Sequence, residues 1–248
     1  VLIVDLFMNE RTRSITYMLA QATLIGGLLF TLLPDVSEPR YTFSDMFVND
    51  AMAVVLKSFV LIASLIVFLY SRAYLIQRDM FSGEFYVLGL FGVLGMLILI
   101  SANSFLTIYL GLELLSLSMY AMVALQRDSV AASEAAMKYF VLGAMASAML
   151  LYGMSIFYGL TGSLNLNEVN EALHSLSDYR IVLTFALIFI IVGVAFKLAA
   201  APFHMWAPDV YHGAPTAVTL YISAAPKLAA FAMLMRLLVD GFSPIMSE

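Results

Sequence analysis

Three ionisable side chains lie inside long apolar runs of this sequence. Glu113, Lys197 and Lys227 each fall near the middle of a run long enough to cross a membrane. A charged group at the bilayer centre costs about 3 kcal/mol or more, so such residues are rare and mark ion or proton pathways. A glutamate and a lysine at one depth on adjacent helices can pair. The sequence therefore predicts a functional polar site inside a membrane bundle.

The same residues have a structural alternative. Glu113 and Lys197 on adjacent helices can form a buried ion pair whose only effect is to fix helix packing, because pairing offsets part of the desolvation cost. Lys227 has no evident carboxylate partner in the sequence. We favour a functional site, and the packing device stays as its alternative.

Prolines accompany both lysines. Pro202 follows Lys197 by five residues, and Pro226 directly precedes Lys227. A proline inside a helix leaves a carbonyl without its usual partner, and non-helical backbone at membrane depth is tolerated where it lines a polar cavity. The segment Pro202–Pro215 is too short to span a membrane and is largely apolar. We therefore expect it to complete a span broken near Pro202, with a cytoplasmic loop as the alternative.

Two further polar residues are candidates for lining this site. Ser116 follows Glu113 by three residues and shares its helix face. His204 follows Lys197 by seven residues and shares its face only if the helix is continuous. The three histidines have no metal-ligand spacing with one another or with a carboxylate, so the sequence predicts no metal site.

Charged residues near the helix ends are harder to interpret. Glu134 precedes Lys138 by four residues, which is the favoured order for an ion pair on one helix. The pair is either a helix-end contact with a snorkelling lysine or part of a functional site. Lys57 lies near the end of its span and is expected to snorkel. Asp209 is expected in a loop.

The composition is that of an integral membrane protein. The chain has 248 residues, of which 62% are hydrophobic and 12% charged, and its mean hydropathy is +0.95, whereas a soluble domain has about 25% charged residues. The long apolar runs of the sequence predict an all-α transmembrane bundle. The absence of cysteine excludes disulfides, cysteine-bound zinc and cysteine-held iron–sulfur clusters in this chain. The sequence contains no basic tract, which argues against nucleic-acid binding.

Runs of about 20 apolar residues predict seven complete spans. A partial span at Val1–Met8 precedes them and is interpreted as the tail of a clipped first helix, not as a signal peptide, because the basic residues follow it. The predicted spans are Ile15–Leu33, Ala51–Ile76, Phe85–Ile100, Ser104–Leu125, Ala135–Leu160, Ile181–Ala200 and Thr216–Val239.

Arginines divide the connections between spans into two sets. One set carries Arg11, Arg13, Arg72, Arg78 and Arg127. The opposite set has two arginines and most of the acidic loop residues, namely Asp35, Glu38, Arg40, Asp45, Asp50, Glu168, Glu171, Asp178 and Arg180. The positive-inside rule places the first set in the cytoplasm. The start of the clipped helix is then expected on the outer side of the membrane.

Four sequence motifs together carry a family resemblance. GLELLSLSMYAMVAL, EAAMKYFVLGAMASAMLLYG, VGVAFKLAAAPFHMWAPDVYHGAPT and SAAPKLAAFAMLMRLL occur in this order. They resemble the antiporter-like membrane subunits of the proton-pumping NADH:quinone oxidoreductase, respiratory complex I. Lys227 favours one subunit type over the two others, which usually carry histidine there. The resemblance covers nearly the whole chain.

The resemblance implies a fold of about fourteen helices with two inverted five-helix repeats, each containing a broken helix. Residues 1–84 would be N-terminal helices, residues 85–239 the first repeat, and residues 240–248 the start of a connection to a second repeat. The broken helix would be Ile181–Tyr211. This sequence would then correspond to the first half of such a subunit.

The resemblance also implies roles and partners. Glu113 and Lys197 match the family's carboxylate–lysine pair and Lys227 its central lysine, so the resemblance implies that these three residues form a buried proton relay. Glu134 and Lys138 match residues near the cytoplasmic side where protons enter. NADH, FMN, iron–sulfur clusters and quinone would be held by other subunits, with no cofactor in this chain. Neighbouring antiporter-like and small membrane subunits in a bacterial inner membrane would be partners. The alternatives are a subunit of a multisubunit cation/proton antiporter and a purely structural spacer.

Overall fold

The chain folds as a helical bundle in the computed structural model, which describes residues 1–8, 13–34 and 38–246, without the side chains of Ser177 and Met246. Arg11 and Asp35, which entered the orientation argument, lie outside these residues. The α-helices are α1 (Leu2–Asp5), α2 (Ser14–Leu32), α3 (Ala51–Gln77), α4 (Gly83–Ile100), α5 (Phe105–Val123), α6 (Val130–Thr161), α7 (Leu166–Leu173), α8 (Arg180–Leu198), α9 (Trp206–Gly213), α10 (Thr216–Ser223), α11 (Ala225–Met235) and α12 (Ser243–Met246). A 3-10 turn covers Ser177–Tyr179 and a π-helix Arg236–Gly241.

Seven segments of the described chain are long and apolar enough to cross a membrane, which confirms the seven predicted spans. They are α2, α3, α4, α5, α6, α8 and the combined segment Thr216–Gly241. The largest boundary difference is at α6, which begins at Val130 instead of Ala135. The Ser129 side chain accepts a hydrogen bond from the Ala132 amide. This cap allows the helix to start before its apolar run.

A short hairpin closes one end of the bundle. Strands β1 (Arg40–Thr42) and β2 (Phe47–Asn49) pair antiparallel, and the Val48 amide donates to the Ser101 carbonyl at 2.8 Å. The Asn103 side chain donates to the Asp45 carbonyl at 2.9 Å. We call this the hairpin end, and the opposite end, which carries Arg13, Arg72, Arg78 and Arg127, the arginine end.

Two helices are interrupted where they cross the bundle. The α8 helix ends at Leu198, Ala199 adopts a left-handed φ of 55°, and the path resumes as α9 at Trp206. The predicted break near Pro202 is thereby confirmed. A second interruption at Ala224 (φ −100°, ψ −88°) divides the predicted span Thr216–Val239 into α10 and α11. Pro226, in the first turn of α11, explains it, because its ring nitrogen cannot donate the backbone hydrogen bond that would continue α10.

Small residues allow α4 and α5 to pack closely. A Cβ atom added at Gly95 would lie 2.6 Å from the Leu115 amide nitrogen and 2.8 Å from the Gly111 carbonyl oxygen. These are backbone atoms, so relief would require the helices to move apart. The glycine therefore sets the distance between α4 and the helix that carries Glu113.

Gly95→Ala should destabilise the full-length protein by about 1–3 kcal/mol, the usual cost of overpacking. The matched control is Gly159→Ala, because a Cβ atom at Gly159 meets nothing within 4 Å. The control should be neutral or stabilising by up to about 1 kcal/mol, since alanine favours helix. Thermal unfolding in detergent checks both, and equal midpoints for the two variants would contradict this account of the α4–α5 contact.

Candidate functional site

Lys197 lies in the last turn of α8, just before the break. Its Nζ donates to the Ser116 hydroxyl at 2.6 Å and is 3.5 Å from the Tyr120 hydroxyl, both on α5. The C-terminal end of a helix carries partial negative charge, so it favours a nearby cation. The break in α8 thus provides a place inside the bundle for the ammonium group.

The break also frees carbonyls that take side-chain donors. Lys227 Nζ donates to the Lys197 carbonyl at 3.1 Å, and Trp206 Nε1 donates to the Phe196 carbonyl at 2.8 Å. Lys227 Nζ also lies 5.1 Å from the centre of the Trp206 ring, within cation–π range. The two lysines are therefore joined through the backbone of the broken helix.

A small internal cavity lies between the two lysines. Its volume is about 20 Å³, and its wall includes Lys197, Lys227, Ser116, Tyr139 and Trp206. One water molecule needs about 10–15 Å³ measured in this way. The site is therefore large enough for a single water molecule to connect the two amines.

Glu113 lies one turn before Ser116 on α5, but in the described chain Lys197 is bonded to Ser116 and Tyr120 instead. Among the described residues, Glu113 Oε1 is buried without a hydrogen-bond partner. The carboxylate is still near enough to Lys197 to interact electrostatically. The direct ion pair that the sequence allowed is thus replaced by a serine contact, and one carboxylate oxygen is left unused.

A second charged cluster joins α6 and α9. Lys138 Nζ lies 2.8 Å from Glu134 and 2.8 Å from Asp209, and all three side chains are exposed. The expectation of a loop position for Asp209 is wrong, because this residue lies in α9. The reason is that the segment after Pro202 resumes a helix and packs on α6. His204 is exposed in the connection between α8 and α9 and does not line the cavity between the two lysines.

Sequence reasoning missed a buried arginine near the hairpin end. Arg236 is 3% exposed. Its guanidinium pairs with both carboxylate oxygens of Asp50 at 2.8 Å and with Asp240 at 3.0 Å, and its Nε donates to the Ile100 carbonyl. The four-residue spacing of Arg236 and Asp240 was a usable signal. The pairing of Arg236 with Asp50, which is far away along the chain, left no signal in the sequence.

Asp50 is held ionised by this cluster. Burial opposes ionisation, but hydrogen bonds from Arg236 and from the Ala53 amide outweigh it, so the pKa of Asp50 lies below its usual value. Asp50 also caps the N-terminus of α3 through Ala53. One carboxylate thus fixes α3, the π-helix and the end of α4.

Nothing in the described chain suggests a metal site, since these residues contain no group of three or more histidine and acidic side chains arranged to hold an ion. The chemistry of the broken-helix site is that of amines, hydroxyls and one carboxylate.

Among the described residues, seven spans and a helix broken beside the partly buried Lys197 agree with the fold of an antiporter-like membrane protein. Residues 102–248 match the family described as NADH:quinone oxidoreductase/Mrp antiporter, TM, and the chain belongs to this family.

Curated relatives and solved structures agree with this assignment. NADH-quinone oxidoreductase subunit N of Thioalkalivibrio sulfidiphilus is 61% identical over 99% of this chain and 51% of the relative. The Nitrosomonas europaea subunit N is 52% identical over 100% of this chain and 52% of the relative. The chain thus spans about half the length of these relatives.

Among structures, a chain of respiratory complex I from Thermus thermophilus matches with a TM-score of 0.77 and 35% identity, over 90% of this chain and 48% of that one. A chain of the Mrp complex from Dietzia sp. matches with a TM-score of 0.74 and 19% identity, over 93% of this chain and 45% of that one. The second likeness shows a shared fold.

Proposed function

We propose that this chain is the first half of a proton-translocating membrane subunit of an NADH:quinone oxidoreductase, of the subunit N type. The observation that carries the proposal is the contact of Lys227 with the carbonyl of Lys197 at the break of α8. Both amines also line one small cavity inside the bundle, and a water molecule in it would pass a proton between them. The names of the relatives support the assignment to this complex.

Glu113 would act as a switch on Lys197. Burial disfavours a charged lysine, and a nearby carboxylate favours it. When Glu113 is close, Lys197 keeps its proton. When charges on a neighbouring subunit draw Glu113 away, Lys197 releases the proton towards Lys227. Two observations support this proposal: Lys197 contacts Ser116 instead of Glu113, and Glu113 Oε1 has no hydrogen-bond partner among the described residues.

The remaining charged groups fit a path with a defined direction. The cluster of Lys138, Glu134 and Asp209 would receive protons at the arginine end, which would face the cytoplasm under the positive-inside rule. Residues 85–239 would form the first repeat, after N-terminal helices in residues 1–84, and residues 240–248 would lead to a second repeat. Redox cofactors and quinone would be bound by other subunits. This chain would couple electrostatic or conformational changes in those subunits to proton movement.

A cation/proton antiporter is the second candidate, because the family description covers both kinds of complex. Purification of the tagged full-length protein from native membranes separates the two. We expect it to copurify with NADH-oxidising subunits, and the purified assembly to reduce quinone with NADH. Copurification with antiporter subunits, without NADH oxidation, would overturn the proposal.

A further inference from the structure

A second site lies at the hairpin end, away from the two relay lysines. A cavity of about 420 Å³ opens between α2, the hairpin, α3 and α4. Lys57 on α3 and Ser101 at the end of α4 both line it. Lys57 is the one charged residue in the wall that the structure describes.

Lys57 forms no ion pair with any carboxylate in the described chain. The acidic residue nearest to it along its helix is Asp50, two turns earlier, which already binds both nitrogens of the Arg236 fork. Lys57 thus provides a positive charge that these residues leave unneutralised.

Ser101 gives an independent indication of a ligand. Its side chain lines the same cavity and the residue is only 4% exposed, yet its hydroxyl has no hydrogen-bond partner among the described residues. A buried hydroxyl without a partner costs about 1–3 kcal/mol. An acceptor placed against Lys57 would remove this cost.

The rest of the wall identifies the class of ligand. It is mainly apolar, with aromatic rings from α2 and the hairpin, and Phe30 and Phe43 are 76% and 73% exposed. The cavity lies where α2 and α4 end, which is the depth of the lipid headgroups if these helices span the membrane. A free anion would use the two donors but would leave the rings uncovered.

We propose that this cavity binds an anionic phospholipid, with its phosphate on Lys57 and Ser101 and an acyl chain against Phe30 and Phe43. The site does not depend on the proposed proton relay. It would anchor the hairpin and α2 to the membrane at a defined position, and it assigns Lys57 a specific ligand instead of general snorkelling.

The test measures lipid retained by the full-length protein in its native assembly. Wild type and Lys57→Gln are purified in mild detergent with phosphatidylglycerol, and bound lipid is counted by native mass spectrometry. We expect about fivefold less phosphatidylglycerol on the variant, since one basic residue near a membrane surface contributes about 1 kcal/mol. The matched control is Arg40→Gln, an exposed cation at the same end outside the cavity wall, which should retain wild-type levels.

Ser101→Ala gives a second variant that preserves the charge and should lower retention by a smaller factor. Equal retention in wild type and Lys57→Gln would overturn the proposal. Displacement of the lipid by millimolar inorganic phosphate would overturn it in favour of a free-anion site. Equal binding of phosphatidylcholine and phosphatidylglycerol would overturn the charge argument. If Lys57→Gln lost a neighbouring subunit while its bound lipid stayed unchanged, the proposal would be overturned in favour of a carboxylate of that subunit paired with Lys57.

Discussion

Replacing Lys197 with methionine is expected to stop proton translocation while the membrane assembly remains intact. Methionine keeps an unbranched side chain of similar length and removes only the group that carries the proton. A positioned proton-transfer group typically contributes about 100-fold or more, so proton uptake should fall by at least about tenfold. Ser116 and Tyr120 would each lose the hydrogen bond that Lys197 donates, but the Ser116 hydroxyl would still donate to the Leu112 carbonyl.

The measurement uses inverted membrane vesicles that contain the full-length protein. NADH oxidation, quinone reduction and proton uptake are followed together, after native gels confirm assembly. Lys197→Arg is the matched control, because arginine keeps the charge but does not release its proton at physiological pH. A relay predicts that both variants fail. A packing role predicts that arginine preserves pumping, and unchanged pumping per electron in the methionine variant would rule out the relay.

Replacing Arg236 with methionine is expected to have the largest effect on stability. The guanidinium is buried and holds Asp50 and Asp240, so its removal leaves two carboxylates without their shared cation. Breaking a buried pair typically costs about 3–5 kcal/mol. Denaturation of the purified full-length protein, in SDS or by heat, measures the change in free energy of unfolding.

The matched control for Arg236 is Arg127→Met. Arg127 and Glu84 form a longer pair of 3.5 Å with side chains 79% and 56% exposed, and an exposed pair contributes about 0–1 kcal/mol. The double variant Asp50→Asn with Arg236→Met should recover part of the loss, since it removes one stranded charge. A similar cost for the two arginines would contradict the assigned role of the cluster.

The same cluster predicts how stability depends on pH. The pKa of Asp50 is lowered in the folded state, so its contribution is complete above its unfolded value of about 3.9. The contribution is lost as the pH falls through the lower folded pKa. Unfolding of wild type should therefore become easier below about pH 4, and Asp50→Asn should lack this component. Parallel curves for the two proteins in acid would contradict the prediction.

Much of the fold follows from the sequence because the bilayer limits the choices. A span needs about 20 apolar residues, and backbone groups in lipid must be satisfied within a helix. These two conditions locate the seven spans. The proline beside Lys197 adds the broken helix, since proline removes a backbone donor. The four motifs then identify the family that the comparison confirms.

The side-chain partners depended on tertiary structure. Spans that are apolar on every side give no periodic signal of which face turns inward, so the rotation of each helix is decided by packing. For this reason Lys197 meets Ser116 instead of Glu113, and Lys138 meets Asp209 across 71 residues. Arg236 meets Asp50 across 186 residues.

One physical difference separates the features that the sequence predicts from those that only the folded structure decides. Depth in the membrane follows from length and hydropathy along the chain, so the sequence by itself predicts that Glu113, Lys197 and Lys227 lie near the bilayer centre. Which of them touch depends on helix rotation and on where a break exposes a carbonyl. The contact of Lys227 with the Lys197 carbonyl needs both, and only the folded bundle supplies them.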